Sequence, residues 1–559
     1  MWNWMGRKAD KPRYVIALMI VLMLMAAALL SGHIIYQTND DSTIISMAAG
    51  CLTGTNEASN GLTGYLYGAL LAGLYAAAPA IPWHAVLLLA FQCLALICVL
   101  KCMLKSCDER GISRWVGMGV FAALTLAVYA AYFFQLQFTA AAALAATGAY
   151  SLILCARGSD SRHARVLEWI LALALAVFGF LLRADALLLT LPVLLIPAVC
   201  MALQCREARA GLLKRCGALL LLVGVLSVSD AALYRAANPG WETYQAFEEQ
   251  TTRLLDFSAD PQALAAAGEA SGWPPELSRM VSGWFFLDAR VNTAAMQAIS
   301  ATLDQAKAHV SLLSVVRSTG SIIKSYPLYQ LCFVAFVLCC VWLTVDAIRK
   351  KRCWLALVPI GLVAYAVMTV AYFYGVLARF PERVAFACVC PVYTVAALQL
   401  LQRSPAKPRK WLCVACTALL AACSVYGTFT LDVPHAKTSG AALTQRVNEY
   451  ASASGELLYV GNIAQEYDPL VATAAGECRN VIFWGHGLTG SPVLVRQQQL
   501  NGYTGGFDSA DFFDENVRVL VTDDAVLASL MALLQVDAPG ATSVLTDTGE
   551  GFSVYQVVR

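Results

Sequence analysis

Residues 14–35, YVIALMIVLMLMAAALLSGHII, run for 22 positions without a charged side chain. A helix of that length crosses the ~30 Å hydrocarbon core of a bilayer. The run ends without a small-residue cleavage signal, so we read it as a retained first span rather than a signal peptide. Comparable runs lie near 84–104, 115–133, 136–156, 166–182, 186–203, 216–235, 326–348, 353–374, 386–402 and 411–430. Composition agrees with a membrane class: 59% of residues are hydrophobic, 14% are charged, and mean hydropathy is +0.61. A soluble domain has roughly half and a quarter in those two classes. The net charge of +2 points to neither a nucleic acid nor an acidic partner.

The loops set the orientation. The N-terminal tail and the segments KCMLKSCDERGISR, RGSDSRHAR, QCREARAGLLKR, RKKR and RSPAKPRK hold 23 of the 39 Lys and Arg, whereas residues 36–83 have none. Lys and Arg accumulate on the cytoplasmic side, so these six segments belong inside. Segment 61–83, GLTGYLYGALLAGLYAAAPAIPW, is apolar enough to span, but counting it would move the next basic loop outside. Its glycines and the closing Pro79 and Pro82 fit a short helix in the outer interface followed by a turn. The expectation is a polytopic α-helical membrane protein of about eleven spans, with the N-terminus cytoplasmic.

Four regions follow from this layout. Residues 1–235 form an N-terminal membrane region with the first outer loop and its interfacial helix at 36–83. Residues 236–325 form an extracytoplasmic helical region, in which Phe247, Leu254 and Phe257 recur at helical spacing. Residues 326–430 return to the membrane. Residues 431–559 alternate short β-like runs (457–461, 480–484, 517–522, 552–558) with helical or turn-rich stretches, which predicts an extracytoplasmic α/β domain. No GxGxxG, P-loop or GxSxG stands there. FWGHGLTG (483–490) reads as a strand and turn, with His486 able to touch a ligand or simply to sit in the turn. Of 19 cysteines, only Cys51 and Cys478 fall outside membrane helices and cytoplasmic loops. The others act as small hydrophobes, and no zinc-ligand spacing is present in a soluble segment.

Charge next to hydrocarbon is costly, about 2.5–3.5 kcal/mol at a helix centre, so its placement is informative. Asp40 and Asp41 follow the first span. Arg183 and Asp185 lie between spans five and six, Asp230 and Arg235 end span seven, and Arg379, Glu382 and Arg383 fill the RFPER loop. All fall on the outer rim. Arginines there could bind an anionic headgroup, with a carboxylate as base or metal ligand. Equally, Arg–Asp pairs at helix ends can pin helices, and arginines can snorkel. The acidic pair is less easily dismissed, because two adjacent carboxylates with nothing basic in 36–83 need solvent, a cation or a distant arginine.

This pattern resembles the GT-C-fold glycosyltransferases, polytopic enzymes that use lipid-phosphate-linked sugars, such as oligosaccharyltransferase catalytic subunits, protein O-mannosyltransferases and lipid A aminoarabinose transferases. The resemblance rests on NDD (39–41) after the first span, the interfacial segment 61–83, Arg183–Asp185 and RFPER, and covers residues 14–430 in layout. A closer likeness is to a set of clostridial-type membrane proteins. It is carried by NDD, by Pro79–Trp83, by Phe247, Arg253 and Asp256, and by Trp284, Phe286 and Asp288. The resemblance implies Asp40 or Asp41 as catalytic carboxylate, and Arg183, Asp185, Arg379 and Arg383 as the lipid-phosphate and substrate site. Arg253, Asp256 and Asp288 are secondary candidates. It implies a polyprenyl-phosphate-linked sugar as donor, a glycan, lipid or protein of the cell envelope as acceptor, and no nucleic-acid partner. A divalent cation, Mg or Mn, is used by some members, but the separated second acidic motif is missing here, since YFFQLQF (132–138) is neutral. Two rival expectations stand beside this one. A transporter or flippase of a lipid-linked glycan would carry polar residues deep in several spans, where this chain has mostly Ala, Leu, Val and Cys. A non-enzymatic membrane protein with an outer binding domain would tolerate substitution of Asp40 and Asp41.

Overall fold

The computed structural model describes residues 10–31, 34–156, 162–256, 261–306, 313, 317, 327–375, 377, 379–403, 436–484 and 489–559. The expected span at 411–430, Phe257 and His486 lie outside the described residues.

From the N-terminal end, α1 (Asp10–Ser31) leads through strand β1 (Ile35–Tyr36) to two short helices, α2 (Asn39–Ala48) and α3 (Tyr65–Ala77). The long α4 (Trp83–Arg110) follows, then α5 (Arg114–Leu124), a π turn (Thr125–Tyr129), α6 (Ala131–Phe134) and strand β2 (Gln135–Leu136). Four long helices come next: α7 (Phe138–Cys155), α8 (Arg162–Leu182), α9 (Ala184–Gln204) and α10 (Arg206–Ala237). A group of short helices, α11 (Trp241–Thr251), α12 (Pro261–Ala270), α13 (Pro275–Ser282) and α14 (Thr293–Ala306), precedes α15 (Pro327–Arg349), α16 (Cys353–Gly375) and α17 (Glu382–Arg403).

Among the described residues, eight helices are long and apolar enough to cross a membrane: α1, α4, α7, α8, α9, α10, α16 and α17. The chain is thus a multi-pass α-helical membrane protein. Helix α15, 23 residues long, stands where the run at 326–348 predicts a span. The run at 115–133 is not one uninterrupted α-helix; it is α5, the π turn and α6 in succession, a local widening that kinks a helix. Segment 61–83 holds the 13-residue α3, too short at 1.5 Å per residue to cross ~30 Å.

Helix α7 is the axis of the bundle. Its sequence, FTAAAALAATGAYSLILC, is apolar on every side, and all 18 residues are buried, as expected of a helix surrounded by others. Small side chains let its neighbours α4, α8 and α17 come close. A Cβ at Gly148 would lie 2.9 Å from Ala95 Cα and 3.0 Å from Leu175 Cδ1, and one at Gly179 of α8 would lie 3.0 Å from the Ala142 carbonyl oxygen. The parallel pairing of β1 with β2 (Ile35 with Gln135, Tyr36 with Leu136), continued by Gln37 N–H to Leu136 O at 2.8 Å, ties the exit of α1 to the start of α7. That pairing carries α2 to the end of the bundle at which α7 begins.

The C-terminal region is an α/β domain with α18 (Ala436–Ala453), β3 (Leu458–Gly461), β4 (Val481–Phe483), α19 (Pro492–Leu500), β5 (Val517–Val521), α20 (Asp524–Asp537), β6 (Thr542–Gly549) and β7 (Phe552–Val558). Its five-stranded sheet has the order β4-β3-β5-β7-β6, with β3 parallel to β4 and β5, and β7 antiparallel to β5 and β6. Strand alternation divides the side chains between two cores. Tyr459, Phe483, Leu520 and Val554 join the core shared with the membrane helices. Leu458, Val460, Ile482 and Val519 join a second core with Leu277, Val281, Phe285 and Ile299 of the 254–303 region. Both faces of the central strands are therefore covered, as parallel strands require.

The close approach around α7 makes one prediction. Gly148→Leu overpacks the contacts of α7 with α4 and α8, at a cost of about 1–3 kcal/mol, and lowers the melting temperature of the detergent-solubilised protein. Gly217→Leu on α10, where an added Cβ meets nothing within 4 Å, leaves it unchanged. Equal behaviour of the two variants would contradict the packing described.

Candidate functional site

Asp40 and Asp41 occupy the first turn of α2, where a helix N-terminus favours negative charge. Adjacent helical residues point about 100° apart, and the two carboxylates go to different places. Asp41 is fully buried. Its Oδ1 lies 3.0 Å from His84 Nε2 and accepts the Phe138 backbone N–H at 3.2 Å, while Thr38 Oγ1 donates to Oδ2 at 3.3 Å. His84 Nδ1 in turn lies 2.9 Å from the Tyr67 hydroxyl. Burial pushes the Asp41 carboxyl up, and the His84 and Phe138 contacts oppose that shift in part. Asp41 thus joins α2, α3, α4 and α7.

Asp40 faces a cavity of about 630 Å³. Arg183, Asp185, Glu248, Asp256, Arg379 and Arg383 converge on the same cavity. Three ion pairs organise them. Arg383 Nη2 is 3.7 Å from Asp40 Oδ2, Arg183 Nε is 3.6 Å from Asp185 Oδ2, and Arg379 contacts Asp256. Arg183 is further held by the Leu62 carbonyl at 3.2 Å and lies 5.6 Å from the centre of the Phe138 ring. Burial and the proximity of Arg383 lower the Arg379 guanidinium, with Asp40 acting in the opposite direction. Each guanidinium has five N–H donors, so a single carboxylate partner leaves donors for a second anion. Leu189, Phe373, Val384 and Ala387 supply an apolar lining beside these charges.

Two contributors were not singled out as site residues from the sequence. Glu248, on α11, lines the cavity, and Thr252 Oγ1 donates to it at 3.2 Å. Burial raises its carboxyl, with Arg183 nearby opposing the shift. Glu248 lay inside the helical run TYQAFEEQTTRLLDF, which offered no reason to prefer it to Glu249. Trp284, noted only as part of a likeness, also lines the cavity and holds a φ of +64°, a conformation that bulky residues rarely adopt and that clusters at functional sites.

The remaining candidates lie elsewhere. Arg253 pairs with Glu249 at 2.9 Å on an exposed helical face. Asp288 is buried against Arg290 at 2.7 Å, and Arg290 bridges to Asp537 of α20 at 2.9 Å; this group fastens the 254–303 region to the C-terminal domain. Asp230 accepts the Tyr65 N–H at 2.6 Å and so caps α3, and Arg235 pairs with Glu242 at 3.0 Å. Among the described residues, no group of three or more His, Cys, Asp or Glu side chains is arranged to hold a metal ion. Asp40 and Asp41 are engaged by different partners, Arg383 and His84.

The fold and the cavity define a multi-pass membrane protein with a charge-lined cavity at one end of its helical bundle. No protein-family model matches the chain, and no curated protein matches it. Among solved structures, the chain is similar to ArnT from Cupriavidus metallidurans bound to undecaprenyl phosphate, at 15% identity and a TM-score of 0.43 over 97% of each chain. It is also similar to the same protein in the apo state, at 15% identity and a TM-score of 0.41 over 98% of each chain.

Glu248 gives a pH prediction. A carboxyl raised in the folded state binds more protons there than in the unfolded chain, so its contribution to stability is present at low pH and lost as pH rises through the folded value. Glu248→Gln does not titrate. Its melting temperature is therefore expected to exceed that of the wild type by a margin that grows as pH rises above the ordinary glutamate value of 4.5. A margin that shrinks with rising pH would contradict the burial of this carboxyl.

Proposed function

We propose that the chain is a membrane glycosyltransferase that moves a sugar from a polyprenyl-phosphate donor to a cell-envelope acceptor on the extracytoplasmic face. The observation that carries this reading is one cavity in which three arginines and four carboxylates stand beside an apolar wall. That mixture suits an amphiphile with an anionic headgroup, and the residues come from the segments on which the sequence resemblance rests. Chain direction supports the choice of face. The cavity receives the start of α7, the α8–α9 junction and the start of α17, whereas the basic loops join the opposite helix ends, which belong in the cytoplasm.

In this reading Arg379 and Arg383 hold the donor phosphate, bidentate where geometry allows. Arg183 and Asp185 hold polar groups of the substrates. Asp40 takes the proton of the acceptor hydroxyl. The acceptor oxygen then forms its bond to the anomeric carbon as the carbon–oxygen bond to phosphate breaks, and the electron pair leaves on the polyprenyl phosphate. The arginines stabilise that developing charge. Attack from the side opposite the phosphate inverts the anomeric configuration. Asp41 keeps α2 in place through His84 and the α7 N-terminus and does not touch the reacting atoms. No step is assigned to a divalent cation.

The test is sugar transfer in membranes supplied with radiolabelled polyprenyl-phosphate sugars. Asp40→Asn is expected to lose about 10²–10⁴-fold of the rate, the usual share of a general base, with the protein still folded by size-exclusion chromatography. Arg379→Ala and Arg383→Ala are expected to lose activity with a raised donor KM. Asp41→Asn is expected to lose activity only in proportion to folded protein lost. Full transfer by a folded Asp40→Asn would remove Asp40 from the reaction, and no transfer by folded wild type from a panel of donor sugars would count against the enzyme.

A further inference from the structure

Cys51 and Cys478 are the two cysteines that the sequence places outside the membrane and its cytoplasmic loops, and the structure brings them together from opposite ends of the chain. Cys51 lies in the loop after α2, and Cys478 lies just before β4. Peptide hydrogen bonds join the two segments: Cys478 N–H donates to the Cys51 carbonyl at 3.2 Å, and Gly476 N–H to the Gly50 carbonyl at 2.9 Å. With standard bond lengths, one such bond holds the two Cα atoms within about 7 Å, the limit for a disulfide without backbone movement. Both side chains are fully buried, and Gln465 Nε2 lies 3.5 Å from the Cys478 sulfur within the same closed interface. Around them the same interface is fixed by Tyr467 N–H donating to Ser42 Oγ at 3.0 Å and by an Arg496–Glu57 ion pair at 2.8 Å.

We infer that Cys51 and Cys478 form a disulfide that fastens the first outer loop to the C-terminal domain. This rests on the extracytoplasmic placement of both segments, because that compartment is the one in which disulfides persist. Both sulfurs are shut away from solvent, and the Cys51 thiol and burial push the Cys478 thiol well above its ordinary value, so an external oxidant does not reach them once the interface is closed. Exchange therefore precedes docking of the domain. One chain thiolate attacks a sulfur of an external disulfide oxidant, giving a mixed disulfide, and the second chain thiolate displaces the oxidant. One S–S bond forms in the chain, and the oxidant leaves as a dithiol carrying the two electrons and two protons. The linkage closes a loop over most of the chain and restricts the unfolded state. It also anchors the C-terminal side of the segment whose first turn carries Asp40.

The test uses full-length protein whose thiols are trapped before lysis, by acid quenching of cells followed by N-ethylmaleimide under denaturing conditions. Digestion without reductant and mass spectrometry are expected to give a peptide containing Cys51 joined to one containing Cys478, lost on treatment with dithiothreitol. N-ethylmaleimide on both cysteines, or either sulfur joined to a different cysteine, overturns the inference. Dithiothreitol is also expected to lower the melting temperature of the purified wild type by several degrees and to leave the C51S/C478S double variant unmoved. A wild type that melts at the same temperature with and without reductant overturns it too.

Discussion

The arrangement of the cavity depends on one buried carboxylate. Asp41 accepts from the first N–H of α7 and meets His84 of α4, while His84 meets Tyr67 of α3. A carboxyl removed from water is costly unless such partners surround it, and leaving it without them costs the full desolvation penalty. The side chain can therefore be tolerated only if α2, α3, α4 and α7 meet at that point. Because Asp40 immediately precedes it on the same helical turn, the position of that neighbouring carboxylate in the cavity is set by the burial of this one.

The cavity combines opposite charges without neutralising them fully. Asp40, Asp185 and Asp256 each face an arginine, and Glu248 adds a fourth carboxylate beside Arg183. Pairs of this kind in a partly open site are weak individually. Their value lies in keeping guanidinium groups oriented before a ligand arrives, which is one condition for strong electrostatic stabilisation. The apolar side chains of Phe373 and Val384 in the same lining exclude water from part of the volume. It is on this pairing of charged and apolar halves that the proposed lipid-phosphate donor rests.

Much of the architecture was legible because hydrocarbon imposes a simple rule on sequence. Long apolar runs gave the long helices, and short apolar β-like runs bounded by turn-rich stretches gave β3, β4, β5 and β7. Strand β6 was not read, since its sequence TSVLTDTG sits on an exposed sheet edge where no apolar face is demanded. The π turn at Thr125–Tyr129 was not read either, because it changes backbone winding without changing composition. In the site, Asp40, Arg183, Asp185, Arg379 and Arg383 could be nominated because charge beside a span is rare enough to stand out. Glu248 sits in a polar helical stretch where charge is common, so nothing in its neighbourhood marked it.

The sequence by itself determined that the chain spans a membrane several times, which segments are polar, and where acids and arginines gather along the chain. Those properties depend on local composition, and a bilayer reads local composition directly. Only the tertiary structure decided which of two adjacent aspartates enters the cavity, that Arg383 answers Asp40, that Asp288 serves a domain junction, and that Cys51 meets Cys478. These facts depend on the packing of segments far apart in the chain. A helical step of about 100°, or the register of two short strands, changes which side chains face one another while leaving composition untouched.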